Sequence, residues 1–236
     1  MIRAVLFDMD GTLLPLDIDE FFVRYTALLS KRFTDIAPPR EFIGHLMSST
    51  AKMMANDDPS RTLMQAFWDD FLPSVGRDLD SMLARLMEFY TTEFGTLGQH
   101  YGFHPDARRA VEAAVGQGYE VVLATNPLFP KIAIEERMKW ARIYDLPWKM
   151  VTTYEDMHYC KPDPRYYTEI LEIIRRTPEE CVMVGNDTRD DLVVRSLGMP
   201  AFLVEGFHVL REDGFEPTWR GSLSDVASLI ERGFSS

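Results

Sequence analysis

The chain has 236 residues and a formal net charge of −12, with hydrophobic residues at 46% and charged residues at 26%. That length suits one α/β domain, or a core domain carrying a smaller insertion, and that balance excludes a disordered or fibrous chain. The acidic surplus excludes a general nucleic-acid surface, although a few local cations and a divalent metal can still reverse the field inside one pocket. No apolar run approaches the ~20 residues needed to cross a bilayer, so no membrane partner is expected.

In chain order, residues 2–7 (IRAVLF) predict a buried strand that stops at Asp8-Met9-Asp10-Gly11-Thr12. This run is too short and too soon acidic for a signal peptide, and a cytoplasmic location is expected. From about 17 to 96, apolar residues recur at spacings of three and four: Phe21, Phe22, Tyr25, Leu28, then Phe42, Ile43, Leu46, then Leu63, Phe67, Trp68, Phe71, then Met82, Leu83, Leu86, Phe89. Pro38-Pro39, Asp57-Asp58-Pro59 and Pro73-Ser74-Val75-Gly76 interrupt them. Four helices without a strand predict an inserted all-helical domain at 15–98, with 1–14 and 99–236 forming the core domain. The aromatic and Met stripes of the insert read as its packing.

A helix is then expected over 105–117, a strand over 120–126 (EVVLATN) and a helix over 130–142. A weaker strand (WKMVTTY, 148–154), a helix at 163–175, a strand at 180–187 (ECVMVGND), a helix at 188–197 and a strand at 200–204 (PAFLV) follow. Ser224 is the expected cap of a last helix, DVASLIER. Continuous apolar strands alternating with helices predict a parallel sheet covered on both faces. The fold class is α/β, a Rossmann-like doubly wound core with a helical insertion after its first strand. Cys160 and Cys181 match no metal-ligand spacing and no disulfide framework, and read as reduced thiols in or near the core.

Four places carry candidate chemistry. Asp8 and Asp10 sit two apart where the first strand ends, and a crowded carboxylate pair calls for a hard cation between them. Gly11 lets the chain turn there. Thr125-Asn126 ends the second apolar run, where a hydroxyl and backbone N–H groups can hold a phosphoryl oxygen. Lys161 leads into a helix, where its charge can offset a phosphoryl group and several carboxylates. Asp187 and Asp191 are four apart after the strand CVMV, so both can face one edge. Singly, each has a structural explanation: a cap, a turn, a surface charge, an acidic helix start. Together they lie at the carboxyl ends of predicted parallel strands, which gather ligand sites at one edge. A carboxylate nucleophile, a second acid, a hydroxyl, a lysine and an acid pair make an inventory for phosphoryl transfer.

On these motifs the chain resembles the haloacid dehalogenase superfamily: Asp-x-Asp-x-Thr at Asp8, a Thr after the second strand, a Lys before a helix, and an acidic pair after a later strand. The resemblance spans Asp8 to about Val204, and the helical insert resembles that family's cap. It implies Asp8 as nucleophile and Asp10 as the acid that protonates the leaving oxygen and then activates water. It further implies Thr125, Asn126 and Lys161 at the phosphate, and Mg²⁺ held by Asp8, Asp10, Asp187 and Asp191. The last motif departs from the family by reading Gly-Asn-Asp, so Asn186, Asp187 and Asp190 compete, and spacing to Asp191 favours Asp187. Asp10 leans away from halide displacement, because halide leaves without a proton. The expected function is a Mg²⁺-dependent phosphatase acting on a small phosphorylated metabolite. A phosphomutase and a non-catalytic binding protein on the same fold stand as alternatives, and oligomeric state is left open.

Overall fold

A computed structural model of the protein describes residues 1–235. Strand β1 (Ala4–Phe7) is wholly buried at the centre of a six-stranded sheet. The other strands are β2 (Glu120–Leu123), β3 (Met150–Val151), β4 (Cys181–Gly185), β5 (Ala201–Val204) and β6 (Trp219–Gly221). Every pairing is parallel, in the order β3-β2-β1-β4-β5-β6. Parallel pairing puts all carboxyl ends on one edge, and the register makes this concrete. Phe7 lies level with Leu123 on one side and Val184 on the other, so Asp8, Ala124 and Gly185 leave the sheet together.

Helices α1 (Ile18–Arg32), α2 (Pro39–Met54), α3 (Leu63–Val75) and α4 (Leu79–Thr92) fill the stretch after β1. Their ends follow local chemistry. Asp17 caps α1, Asp78 caps α4, and Thr62 with Gln65 forms a capping box on α3. Gly76 ends α3 in the left-handed region at φ 62°. A 3₁₀ turn (Phe94–His100) leads back to α5 (Pro105–Gly116), and α6 (Lys131–Trp140), α7 (Pro164–Ile174) and α8 (Leu223–Glu231) cover the sheet. Aromatic contacts tie insert to core: Phe94 packs edge-on against Phe21 of α1 and stacks on Trp140 of α6, with ring centres 6.2 Å and 5.3 Å apart. Such pairs add about 0.5–1.5 kcal/mol each beyond the area they bury. Among the described residues no helix is long and apolar enough to cross a membrane.

Local detail departs from the sequence expectations in four places. The strand expected at 148–154 shrinks to Met150–Val151: Thr152 N–H still reaches the Leu123 carbonyl of β2 at 3.1 Å, but Tyr154 N–H turns away to the Phe129 carbonyl at 3.4 Å. The helix expected at 188–197 is a short 3₁₀ turn, Leu192–Leu197. Asp187 accepts the N–H groups of Arg189 and Asp190 as a helix N-cap does, but the segment it starts is ended early by Gly198 in the left-handed region at φ 87°. Ser222, not Ser224, caps α8, in a reciprocal bond with Asp225. Strand β6 was not expected, since Trp219-Arg220-Gly221 has one apolar residue and no alternation to read. Both cysteines are free thiols and buried.

Candidate active site

Beyond β1 the chain turns tightly: Gly11 N–H donates to the Leu14 carbonyl and Leu14 N–H to that of Met9, each at 2.8 Å. Gly11 holds φ +80°, and a Cβ there would stand 2.3 Å from Asn186 Nδ2, so the turn requires glycine twice over. The turn folds Thr12 back onto the strand end, where its hydroxyl donates to Asp8 Oδ2 at 2.9 Å. Asp8 Oδ1 accepts from Lys161 Nζ at 2.8 Å. Lys161 reaches in from the segment before α7 and is itself only 2% exposed. On its far side Nζ donates to Asp191 Oδ1 at 2.5 Å. Asp191 Oδ2 accepts the backbone N–H groups of Asn186 and Asp187, at 2.8 Å and 3.0 Å. Gly185 makes room for this, as a Cβ there would meet Asp191 Cγ at 2.3 Å. Thr12, Asp8, Lys161, Asp191 and the loop after β4 are thus one buried chain of hydrogen bonds.

Burial sets the electrostatics of that chain. Loss of water raises the Asp8 carboxyl above its usual range, while Lys161 and Thr12 pull it back down. Asp191 is pushed up to about 6 by the same desolvation, against the pull of Lys161. Burial works against the Lys161 ammonium, yet Asp191 and Asp8 together hold it well above the ordinary lysine value. The lysine therefore stays charged between two carboxylates.

Asp10 has a partner that sequence reasoning missed. Arg137 of α6, with no exposed surface, pairs through Nη1 with Asp10 Oδ2. Its guanidinium lies 4.6 Å from the centre of the Phe129 ring and 5.6 Å from that of Phe21. A signal for it existed: Arg137 falls on the buried stripe of Ala133, Ile134 and Met138, where an arginine needs a partner. Asp10 Oδ1, Arg137 Nε and Arg137 Nη2 are buried with no hydrogen-bond partner among the described residues.

Next to Asp8, the Thr125 carbonyl accepts from Thr152 Oγ1 and Tyr166 OH at 2.7 Å and 2.8 Å, which pins the loop carrying its side chain. Asn126 Oδ1 beside it is buried without a partner. In the loop after β4, Asp187 turns elsewhere: Oδ1 accepts N–H groups of Arg189 and Asp190, and Oδ2 accepts from Arg211 at 3.0 Å. Asn186 is the residue that faces the Asp8 turn, its Oδ1 accepting from Thr12 Oγ1 at 3.3 Å. Asp190 pairs with Arg189 at 3.1 Å.

Among the described residues no three His, Cys, Asp or Glu side chains converge as a metal cluster. The donor set around the Asp8 turn nonetheless suits a hard cation. Asp8, Asp10 and Asn186 offer only oxygen toward it, and magnesium is commonly held by one or two carboxylates with water in the remaining positions. Three carboxylates (Asp8, Asp10, Asp191) meet two cations (Lys161, Arg137). Asp10 Oδ1 is buried without a partner among the described residues, which leaves one acceptor unmet beside these oxygen donors.

Comparison with known proteins gives the family and the fold. A family model described as haloacid dehalogenase-like hydrolase matches residues 2–198. A protein named Phosphatase MT3486, from Mycobacterium tuberculosis (strain CDC 1551 / Oshkosh), is 29% identical over 232 residues, covering 97% of this chain and 95% of its own. The crystal structure of a HAD phosphatase from Thermococcus onnurineus superposes with a TM-score of 0.62 at 19% identity, covering 97% of this chain and 98% of that one. An L-2-haloacid dehalogenase from Xanthobacter autotrophicus superposes with a TM-score of 0.60 at 16% identity, each chain covered fully. These two structures share the fold.

Proposed function

The chain belongs to the haloacid dehalogenase-like hydrolases, and on that premise we propose that it is a Mg²⁺-dependent phosphatase working through an aspartyl-phosphate on Asp8. The observation that carries the reading is the buried lysine shared by two carboxylates: Lys161 meets Asp8 at 2.8 Å and Asp191 at 2.5 Å. A solvated lysine would need neither partner, whereas a nucleophilic carboxylate approaching a phosphoryl dianion needs such a charge beside it. The relative named as a phosphatase matches along 97% of the chain. Likeness to a dehalogenase structure does not choose the chemistry, since one fold hosts many reactions. Asp10 favours phosphorus: displacement of an alcohol needs a proton donor, and displacement of halide does not.

In the first step an Asp8 oxygen forms a bond to phosphorus as the bond from phosphorus to the alcohol oxygen breaks. Asp10 delivers its proton to that departing oxygen. Its Oδ1, with no partner among the described residues, is the oxygen free to do so, while Arg137 holds the other. Thr125 and Asn126 bind the phosphoryl oxygens, and Lys161 offsets their charge in a site nearly closed to water. In the second step Asp10 takes a proton from water, the water oxygen bonds to phosphorus, and Asp8 is released. When bound, Mg²⁺ supplies charge compensation for the phosphoryl oxygens. Asp8, the backbone carbonyl of Asp10 and the Asn186–Asp187 segment would hold it, and Asp191, with both oxygens committed, orients Lys161 and that segment. Residues 15–98 act as the cap over a core of 1–14 and 99–236, excluding bulk water. The enzyme is read as cytoplasmic, acting on a small phosphorylated metabolite.

Release of phosphate from p-nitrophenyl phosphate, with Mg²⁺ and with EDTA, tests this. Turnover is expected only with the metal, and Asp8→Asn should abolish it along with trapping of beryllium fluoride. Activity that survives both EDTA and Asp8→Asn would overturn the proposal.

A further inference from the structure

Inside the helical insert lies a cavity of about 470 Å³, within the size range of small-molecule sites. Its walls come from all four helices of the insert, with Leu29, Phe42, Phe71 and Met82 among the deeply buried members. Its floor is made by Leu128–Ile132 and by Tyr154 and Glu155, from the loops that follow β2 and β3. The cavity floor therefore lies at the same sheet edge as Asp8, one strand away.

Almost nothing in the interior invites water. The Tyr25 and Tyr90 hydroxyls are spent on each other at 2.8 Å, and the Thr50 hydroxyl donates to the Leu46 carbonyl at 2.8 Å. Lys131, Glu135 and Glu155 are confined to the floor loops and the start of α6. A water needs two to four polar partners, so apolar spaces of this kind stay dry or take an apolar guest. Left empty, a void this large would carry a penalty that grows with its volume. Two large apolar side chains on its lining, Met47 and Met87, are 47% and 49% exposed, as befits a mouth. One donor remains unspent: the Trp68 indole N–H comes near the Tyr154 hydroxyl without closing a hydrogen bond.

The partition between cavity and reaction centre is one layer thick. Phe129 lines the cavity, and its ring packs against the Arg137 guanidinium that holds Asp10. Leu128 and Phe22, both partly buried, belong to the loop after Thr125 and to the helix after the Asp8 turn. Both line the cavity, and side-chain movement at this thin partition would join it to the phosphate position. We propose that the substrate is a phosphomonoester of an apolar alcohol, its hydrocarbon or aromatic body seated in this cavity while its phosphate meets Asp8. The inference rests on the phosphatase reading and adds the class of leaving group.

The test is a series of ethyl, butyl and hexyl phosphate with Mg²⁺. Each buried methylene is worth up to about fourfold, so the four added from ethyl to hexyl should raise kcat/KM by as much as about 250-fold. Leu86→Trp, which fills the cavity, should flatten the series while ethyl phosphate is still turned over. Met87→Trp narrows the half-exposed mouth without disturbing the packed interior, and should flatten it too. Fluorescence of N-phenyl-1-naphthylamine should report saturable binding that hexyl phosphate displaces and both variants lose. A flat series in the wild type, or a slope that neither variant alters, overturns the leaving-group class while leaving the phosphatase reading intact. Absence of turnover on every ester overturns that reading, and this inference with it.

Discussion

Replacing Lys161 with Met keeps nearly the same shape and removes the positive charge that bridges Asp8 and Asp191. Removing one member of a buried ion pair costs about 3–5 kcal/mol, because the partner is left charged and unpaired. Here two carboxylates are left. For a chain of this length, 1 kcal/mol moves Tm by about 2–4 °C, so a fall of about 6–20 °C is expected near pH 7.5. The pH dependence has a definite sign. Asp191 already stands at about 6 with Lys161 beside it, and Lys161 lowers both Asp191 and Asp8, so its loss raises both further. Unfolded, the two titrate near 3.8. Groups raised in the folded state stabilise it fully below the unfolded value, and that contribution is lost as pH climbs through the folded value. The deficit of Lys161→Met relative to wild type should therefore be small at pH 4.5 and largest at pH 7.5. Thermal unfolding followed by circular dichroism in EDTA at both pH values measures it. A variant as stable as wild type at pH 7.5, or a deficit that does not change with pH, would refute the reasoning.

Three further outcomes follow from other parts of the site. Arg137→Met removes the partner of a carboxylate that keeps some exposure, so stability should change by less than about 2 kcal/mol, whereas kcat on p-nitrophenyl phosphate should fall about 100-fold as Asp10 loses its position. Gly185→Ala places a Cβ 2.3 Å from Asp191 Cγ; since both Asp191 oxygens are held, it should cost about 1–3 kcal/mol in unfolding assays and most of the activity. Burial pushes both thiols up to about 12, so iodoacetamide at pH 8 should label the native protein at least ~1,000-fold more slowly than the urea-unfolded chain. By the same linkage their contribution to stability is complete below pH 9 and lost as pH rises toward 12, which alkaline melting curves will reveal.

The strands were legible because a parallel sheet covered on both faces needs unbroken apolar runs, and IRAVLF, EVVL and CVMV are such runs. From them followed the shared edge, and with it the grouping of Asp8, Thr125, Lys161 and Asp191, none of which is near another in the chain except through the fold. The four helices of the insert were equally legible, as each has its own stripe and either a capping side chain (α1, α3 and α4) or a proline start (α2). What the sequence could not rank was Asn186 against Asp187. Spacing favoured Asp187, but Arg211, from a loop 24 residues on, takes its carboxylate, and Asn186 turns to Thr12. That choice depends on a long-range partner, and no local pattern encodes it. Arg137 shows the same division: its place on a buried stripe was visible in α6, yet its pairing with Asp10 exists only once α6 packs over the Asp8 turn. The sequence by itself determined most of the elements, their edge and the candidate reacting groups, because these depend on local periodicity and residue chemistry. Tertiary structure alone decided which oxygen each cation holds and that the insert encloses an apolar cavity, because both depend on side chains that meet from distant parts of the chain.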